Sequence, residues 1–522
     1  MLKEASHPVI SCAEAAELEK RLLKNEPERE WQAMAAAGEK LGRAVLRDFR
    51  EIGELPDRPK ILILAGKGHN TGDAFLAACE IVRVRPEADV DLLFVFSESD
   101  LNLLARKSLD TLLAATERVR RFSFEEREAC KGFYEICFDG IFGMNFRPPF
   151  RGETGKIIEW ANENVSAALR ASVDLPSGLG DDSEAIAFRA DFSYMTGSSK
   201  LPLFQAENAK WTGRLRYLDL GFFDKDNYEE ADKRVLLPEI LSPLRRLRDP
   251  LGYKGRYGHL LLVGGSRRTP GAILMSAMAA AQSGVGLLTA AVPESLVPSF
   301  AAAVPEVMWI GCPETDDGGL ALDSLFEILR ACETATAMMI GPGIGTETET
   351  QALLQEVVRE ADLPMVIDAE ALQPDLLKRI SKRKSMRGKV AVTPHAGEFL
   401  RICGVNFAEK GERALLAYAK ETEFLVLLKG PPFTRICDGK RIYYALQGGP
   451  VLARGGSGDI LAGLAGSLLA RMPDQLHLAV ERALVWHGLA ADRLAREFGH
   501  EAVRTTQLLD SLAKVIREDL RL

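Results

Sequence analysis

This chain of 522 residues lacks a basic excess, closely spaced cysteines and a long unbroken apolar run. Each absence removes a class of function. Lys and Arg total 66 against 74 Asp and Glu, a net charge of −8, which argues against a dedicated nucleic-acid binder or an electrostatic membrane anchor. The eight cysteines (Cys12, Cys79, Cys130, Cys137, Cys312, Cys332, Cys403 and Cys437) are scattered, with no zinc-knuckle or redox spacing. Reduced thiols and a cytoplasmic setting are expected. The first residues, MLKEASHPVISCAEAAELEK, have no basic stretch followed by an apolar core, so no secretory signal is expected. The most membrane-like run, Ala272 to Val292, is interrupted by Gln282, Ser283, Gly284 and Gly286. It reads as a buried helix, a turn and a buried strand.

What is present is alternation. A chain of this length exceeds one ordinary core, since cores stop growing near roughly 250 to 300 residues. Two domains are expected. In the first half, strand-like runs (61–66, 90–96, 135–143, 168–176) follow an amphipathic helical stretch from Ser11 to Phe49. Residues 221–258 are dense in charge and proline and read as an interdomain passage. Beyond them HLLLVGG, GLLTAAVP, TAMMIGPG, LPMVIDAE, KVAVTP and LVLLKG restart the pattern, which closes on a helix from Asp459 to Met472. Such alternation predicts α/β domains with parallel sheets.

The second half carries ARGGSGDILAGLAGSLLA, Ala453 to Ala470. Glycines before an apolar helix expose backbone N–H groups where the helix dipole favours an anion such as phosphate. Asp459 follows directly and suits a general base taking a proton from a hydroxyl that attacks phosphorus. A first-turn acid favoured by the dipole is the bland alternative. Further turns (264–272, 341–345, 368–372, 393–398, 428–432) end apolar runs, where ligands gather in parallel sheets.

The order KGRYGHLLLVGGS, PGA, SGVGLLT, GPGIG, VIDAEAL, TPHAGE, LKG and GGSGDILAG resembles the ribokinase-like superfamily and, more closely, the nucleotide-dependent NAD(P)H-hydrate dehydratases. The resemblance implies phosphorylation of the C6 hydroxyl of hydrated NADH or NADPH, then elimination of phosphate. It implies Asp459 as base and substrate contact; Ala272, Gly343 and His395 in the hydrate pocket; and Lys429, Gly430, Pro431, Pro432, Phe433 and Gly458 on the nucleotide. ADP, becoming AMP, with Mg²⁺ is the expected co-substrate. The Thr usual after LKG is displaced in LKGPPFT.

In the first half, ILILAGKGHNTGDAFLAAC is again a strand, a glycine turn and a helix, but Gly66, Gly68 and Gly72 miss the dinucleotide-binding spacing. Asp139 and Asp174 stand at later strand ends, where a carboxylate serves acid–base or cation-binding chemistry or simply caps its own turn. Together with MAAAG, DGIFGMNFRPPFRG, SVDLPSGL and DFSYMTGSSKLPLF, these segments resemble NAD(P)H-hydrate epimerase domains, which interconvert the R and S hydrates. The resemblance implies Asp174 as acid–base residue. It places the substrate against His69, Asn70, Thr71, Gly72, Asp73, Asp174 and the loop Gly143, Met144, Asn145, Phe146, Arg147, Pro148 and Pro149, with K⁺ held by Asn70, Asp139 and Ser177. The family turn is usually NNGGDG; here His69, Thr71 and Ala74 depart from it, and Ala35 replaces an acid usual before AAG. Thr71 is expected to lose backbone freedom if its position needs positive φ, and to add bulk near a ligand.

The expected architecture is therefore α/β: an N-terminal Rossmann-like three-layer α/β/α domain over residues 1–225 and a C-terminal ribokinase-like α/β domain over 240–522. The expected ligands are the hydrated dinucleotides and ADP, without nucleic acid or membrane, in a homo-oligomer. Two alternatives stay open: a degenerate binding or scaffold module in the first half, and a small-molecule kinase in the second.

Overall fold

The computed structural model describes residues 5–24, 26–150, 154–223 and 230–518. Residues 224–229 of the expected interdomain passage, and Arg151 and Gly152 of the DGIFGMNFRPPFRG segment, lie outside them. The chain folds as two compact units, whose bodies are His7–Val235 and Leu236–Leu494. The second half of the expected passage, from Leu236, thus belongs to the latter; there Pro238–Arg245 forms a 3-10 turn whose Ile240 carbonyl accepts from Arg482 Nε at 3.0 Å.

The first unit is built on seven parallel strands in the order Val119–Ser123, Asp89–Phe94, Lys60–Ala65, Gly132–Gly140, Val165–Val173, Phe192–Thr196 and Arg214–Leu218. Chain order reverses between Lys60–Ala65 and Gly132–Gly140, which opens a crevice at their carboxyl ends. Ile61, Ile63, Ile136 and Phe138 fill one core face with Phe75 and Ile81 of the helix His69–Val84. The stretch 11–49 is two helices, Cys12–Leu23 and Pro27–Phe49. Ser11 caps the first reciprocally with Glu14. Gly38 and Gly42 let the second lie directly on His69–Val84: a Cβ at Gly38 would come 2.3 Å from Leu76 Cβ. The glycine of MAAAG thus serves close helix packing. Val119–Ser123 escapes periodicity because it is a charged edge strand, with Arg120 paired to buried Asp91 at 2.7 Å.

The second unit orders its strands Met308–Cys312, Leu287–Pro293, His259–Val263, Ala337–Ile340, Met365–Ile367, Val390–Val392, Leu425–Leu428, Thr434–Cys437 and Ile442–Ala445. The first seven are parallel; the last two add antiparallel, an extension that the alternation did not predict. The reversal lies between His259–Val263 and Ala337–Ile340. The membrane-like run is the helix Pro270–Gln282, a turn and the strand Leu287–Pro293. Among the described residues no helix is long and apolar enough to cross a membrane.

Candidate active sites

In the second unit the helix Ser457–Arg471 packs beneath the sheet through its small residues. A Cβ at Gly463 would strike the Ser276 carbonyl at 2.2 Å, and one at Gly466 would reach Met339 Cβ at 2.8 Å. Its N-cap, Gly456, sits at φ +90°, a left-handed conformation that glycine adopts without strain. Asp459 lies in the first turn, and its backbone carbonyl accepts from Ser276 Oγ at 2.8 Å. Burial first, then the Asp368 charge, push its carboxyl up to about 6, while Lys429 opposes them.

Three strand ends supply the neighbouring cluster. Asp368 is buried after Met365–Ile367, and its Oδ1 accepts from Thr393 Oγ1 at 2.6 Å and Lys429 Nζ at 2.8 Å. Burial favours neutral Lys429, but Asp368 and Glu398 outweigh it and raise the ammonium pKa. A Cβ on Gly458 would lie 3.2 Å from Lys429 Nζ, so the lysine stands beside the helix start. Gly343 and Ala272 meet at the reversal: Gly343, at φ +66°, would bring a Cβ to 3.2 Å from Ala272 Cβ. His395 caps the helix Ala396–Cys403, its Nδ1 accepting from the Gly397 and Glu398 amides at 3.0 and 3.2 Å. The ring proton is therefore on Nε2, and the side chain remains 60% exposed. Lys429–Phe433 is the turn of the antiparallel hairpin, with Gly430, Pro431 and Pro432 exposed. The Phe433 ring faces inward, edge-on to Tyr444 at 5.2 Å with the Arg435 guanidinium over it.

In the first unit Asp139, at the end of Gly132–Gly140, is fully buried. It accepts from Ser177 Oγ at 2.6 Å, Ser177 N at 2.7 Å and Ile141 N at 3.3 Å. Burial raises its carboxyl to about 6 against the pull of these donors. Ser177 Oγ accepts in turn from Phe142 N at 2.9 Å. The Asn70 amide bridges the Val173 and Phe142 carbonyls at 2.6 and 3.2 Å. Gly143 is required beside it, because a Cβ there would fall 2.4 Å from Asn70 Oδ1.

Asp174 follows Val165–Val173 at φ +67°, a strained backbone for a residue with a Cβ, of the kind that clusters at functional sites. Its Oδ1 accepts from Thr196 N and Oγ1 at 3.2 and 3.3 Å and from Lys200 Nζ. Lys200 is wholly buried and also donates to the Thr196 carbonyl at 2.8 Å.

Thr71 and Gly72 face inward. Thr71 lies in the first turn of the helix, without positive φ, and its Oγ1 donates to the Gly140 carbonyl at 2.8 Å. The expected backbone strain is absent because the position is helical, and the added bulk is buried against the sheet. His69 is exposed at the helix start. In the 143–149 loop, Phe146 packs between Phe142 and Phe150 at ring distances of 5.3 and 5.0 Å, and Met144 rests on Ile10, Ala15 and Leu18. Asn145, Arg147 and Pro149 are exposed, and Pro148 is half-buried.

A family model of NAD(P)H-hydrate dehydratase matches residues 260–514, and one of the YjeF-related protein N-terminus matches 32–201. A bifunctional NAD(P)H-hydrate repair enzyme of Moorella thermoacetica is 32% identical over 93% of this chain and 92% of its own length. Its counterpart in Gloeobacter violaceus is 32% identical over 88% and 89%. The chain belongs to the bifunctional NAD(P)H-hydrate repair enzymes. Among solved structures, a ribokinase-like superfamily protein from Enterococcus faecalis is 26% identical and covers 55% of this chain and 96% of its own, with a TM-score of 0.49. An ADP/ATP-dependent NAD(P)H-hydrate dehydratase from Bacillus subtilis, co-crystallised with ATP/Mg²⁺, is 28% identical over 53% and 95%, with a TM-score of 0.45.

Within this repair-enzyme chain the dehydratase match falls on the unit that holds Asp459, and the other match on the unit that holds Asp174. Several neighbours of the two carboxylates were given no role from the sequence, although Thr393, Glu370 and Lys200 lie inside the segments TPHAGE, VIDAEAL and DFSYMTGSSKLPLF. On the dehydratase side they are Thr393, Glu370, whose buried Oε2 has no hydrogen-bond partner, and His487. His487 is buried in the helix Leu476–Phe498 near the Ser457 backbone, and burial lowers its pKa to about 4, so the ring is neutral. On the epimerase side they are Lys200 and half-buried Glu19, whose carboxyl burial raises to about 7. Its place in DFSYMTGSSKLPLF, directly after the apolar strand Phe192–Thr196 and its short turn, is the signal that could have revealed Lys200.

Proposed function

We propose that Asp459 is the base of the dehydratase unit, taking the proton of the C6 hydroxyl of the S hydrate as that oxygen attacks the terminal phosphorus of ADP. The hydroxyl, a poor leaving group, becomes a phosphate ester that departs as phosphate and restores the dinucleotide. The observation that supports this reading is the placement of Asp459 in the first turn of a buried helix, beside glycine amides and the Lys429–Asp368 pair. The Gly455–Gly458 backbone and Lys429 stabilise negative charge on the transferred group. Ala272, Gly343 and the Nε2–H of His395 line the hydrate side; Gly430, Pro431, Pro432, Gly458 and the backbone of Phe433 line the nucleotide side. Mg²⁺ would neutralise phosphate charge. The ion would be carried chiefly on the phosphates, with Glu370 and Glu398 the acids at that edge.

For the epimerase unit the reading is that Asp174 performs acid–base chemistry at C6, with Asn70, Asp73 and the 143–149 loop against the substrate. K⁺ fits the oxygen set offered by Asp139, Ser177 and the Phe142 and Val173 carbonyls, joined by Asn70 Oδ1 when the amide is turned over. It would orient these groups beside the substrate.

The test is to give the purified protein an epimer mixture with ADP and Mg²⁺. Complete return of the reduced-nicotinamide absorbance, faster than spontaneous epimerisation, is expected. No recovery with ADP or ATP refutes the dehydratase reading. Arrest at the S fraction refutes the epimerase reading, and a stable phosphorylated product without phosphate release marks a kinase instead.

A further inference from the structure

Three hydroxyl side chains hold the glycine turn that leads into Ser457–Arg471, and all three bond to its carbonyls. Ser457 Oγ donates to Leu452 O at 2.7 Å, Thr505 Oγ1 to Gly455 O at 2.8 Å and Ser276 Oγ to Asp459 O at 2.8 Å. Gly456 O accepts from Ile460 N at 3.1 Å. The amides are left over: those of Gly455, Gly456, Gly458 and Asp459 have no hydrogen-bond partner among the described residues. In a planar trans peptide the C=O and N–H point in opposite directions, so a side chain that fixes one aims the other.

Two of the hydroxyls sit on Pro270–Gln282 and Ser457–Arg471, the helices that build the site. Thr505 comes from elsewhere. It stands 50 residues beyond Gly455, just before the C-terminal helix Gln507–Arg517. Its segment is anchored: Val503 is buried, Thr505 O accepts from Leu508 N at 3.0 Å, and Gln507 Oε1 accepts from Arg504 N at 2.7 Å. The Arg454 guanidinium also ties the turn to this segment, donating to the His500 carbonyl and to the Glu501 carbonyl at 3.1 Å. A Cβ on Gly456 would lie 3.5 Å from Thr505 Cγ2. The threonine thus lays its methyl on Gly456 and its hydroxyl on Gly455, and a β-branched side chain held at both points has little χ1 freedom. Gly455 supplies no such restraint, being exposed, with open space where a Cβ would stand.

We propose that Thr505 is a positioning residue of the phosphoryl-transfer site: by holding the Gly455 carbonyl it fixes the peptide between two glycines with the Gly456 amide free for the transferred phosphoryl group. The inference rests on the dehydratase reading of this unit and extends it to a residue that acts only through the backbone. A donor already in place costs no reorganisation as charge develops on the phosphoryl oxygens, whereas a peptide that must first rotate does. The effect therefore falls on the chemical step and spares hydrate binding. A mere tether for the C-terminal segment would affect folding and leave the rate alone.

The experiment uses the full chain with pure S hydrate, ADP and Mg²⁺, and rates are taken per folded molecule. Thr505→Val keeps the methyl and removes the hydroxyl; Thr505→Ser does the reverse. Thr505→Val should lower kcat for dehydration by roughly tenfold, less than the 10²–10³ of a deleted donor because the amide is loosened and not lost, with the hydrate KM unchanged. Thr505→Ser should restore kcat. AMP with aluminium fluoride, a planar mimic of the transferred group, should bind Thr505→Val more weakly by the same factor, while AMP alone binds as it does to wild type. Wild-type kcat and mimic affinity in Thr505→Val overturn the proposal, even where its unfolding midpoint drops, and so does an equal loss of kcat in both variants. A wild type that never dehydrates S hydrate with ADP or ATP overturns the dehydratase reading itself.

Discussion

The two units gather opposite backbone groups at their candidate sites. In the dehydratase unit, Gly455, Gly456 and Gly458 lead into Ser457–Arg471, so N–H groups point outward and favour an anion. In the epimerase unit the carbonyls of Phe142 and Val173, with Asp139 and Ser177, converge around Asn70 and favour a cation. The lysines differ as well. Lys429 pairs with Asp368, a neighbour of the proposed base, whereas Lys200 pairs with the proposed acid–base residue itself. The two units thus gather different backbone groups at their sites, amides at a helix start in one and strand-end carbonyls around the Asn70 amide in the other.

The sharpest break of this comparison is Asp459→Asn. It should lower dehydration of S hydrate by roughly 10³-fold, within the range of a lost general base, while R-to-S epimerisation continues. Since the base works ionised, wild-type kcat/KM should fall about tenfold per pH unit below the Asp459 pKa of about 6. The stability sign is the reverse of the activity sign. A carboxyl whose pKa is raised by folding favours the native state only when protonated, so its ionisation costs stability as pH rises through about 6. The Asn variant should therefore unfold no lower than wild type at pH 8, and the two should converge near pH 4. A variant that still dehydrates removes Asp459 from the chemistry.

Next in size is the contrast between the lysines. Lys200→Met strands Asp174 in a pair whose side chains are 0% and 5% exposed, and should cost roughly 3 kcal/mol in denaturant unfolding. Lys429, at 21%, lies closer to water, so Lys429→Met should cost about half as much and act mainly on nucleotide KM. Equal losses would show that burial does not distinguish the two pairs. Replacing K⁺ with tetramethylammonium should then slow R-hydrate consumption alone; slowing of S dehydration as well would place the cation requirement outside the carbonyl cluster.

The sequence made the strand-end carboxylates legible because motif and topology agree there: Asn70, Asp139 and Ser177 meet at one chain reversal, and Gly343 and Ala272 at the other. Lys200, Glu19, Thr393 and His487 were not legible. Lys200 and Thr393 stand inside DFSYMTGSSKLPLF and TPHAGE without a chemistry of their own to mark them, Glu19 and His487 stand in ordinary helices, and only the strand order or a helix docking from afar brings each to a site. Phe433 shows the converse. Its place in LKGPPFT suggests a ligand contact, but the antiparallel hairpin turns the ring into the core against Tyr444, leaving only its backbone at the turn.

The smallest effect tests whether the altered turn weakens the first unit. Thr71 stands where the family usually has glycine, and in this chain it is a buried helical residue bonded to the Gly140 carbonyl. Thr71→Gly removes that hydrogen bond and puts glycine in a helix, together worth about 1 to 2 kcal/mol of lost stability. The epimerisation rate should not change, because the threonine hydroxyl faces the sheet. A marked rise in kcat would mean that Thr71 crowds the substrate, and the first unit would then be the handicapped partner that its departures from the usual turn suggested. An unchanged rate with the expected loss of stability means that this position exchanged backbone freedom for an internal hydrogen bond and left the site as it was.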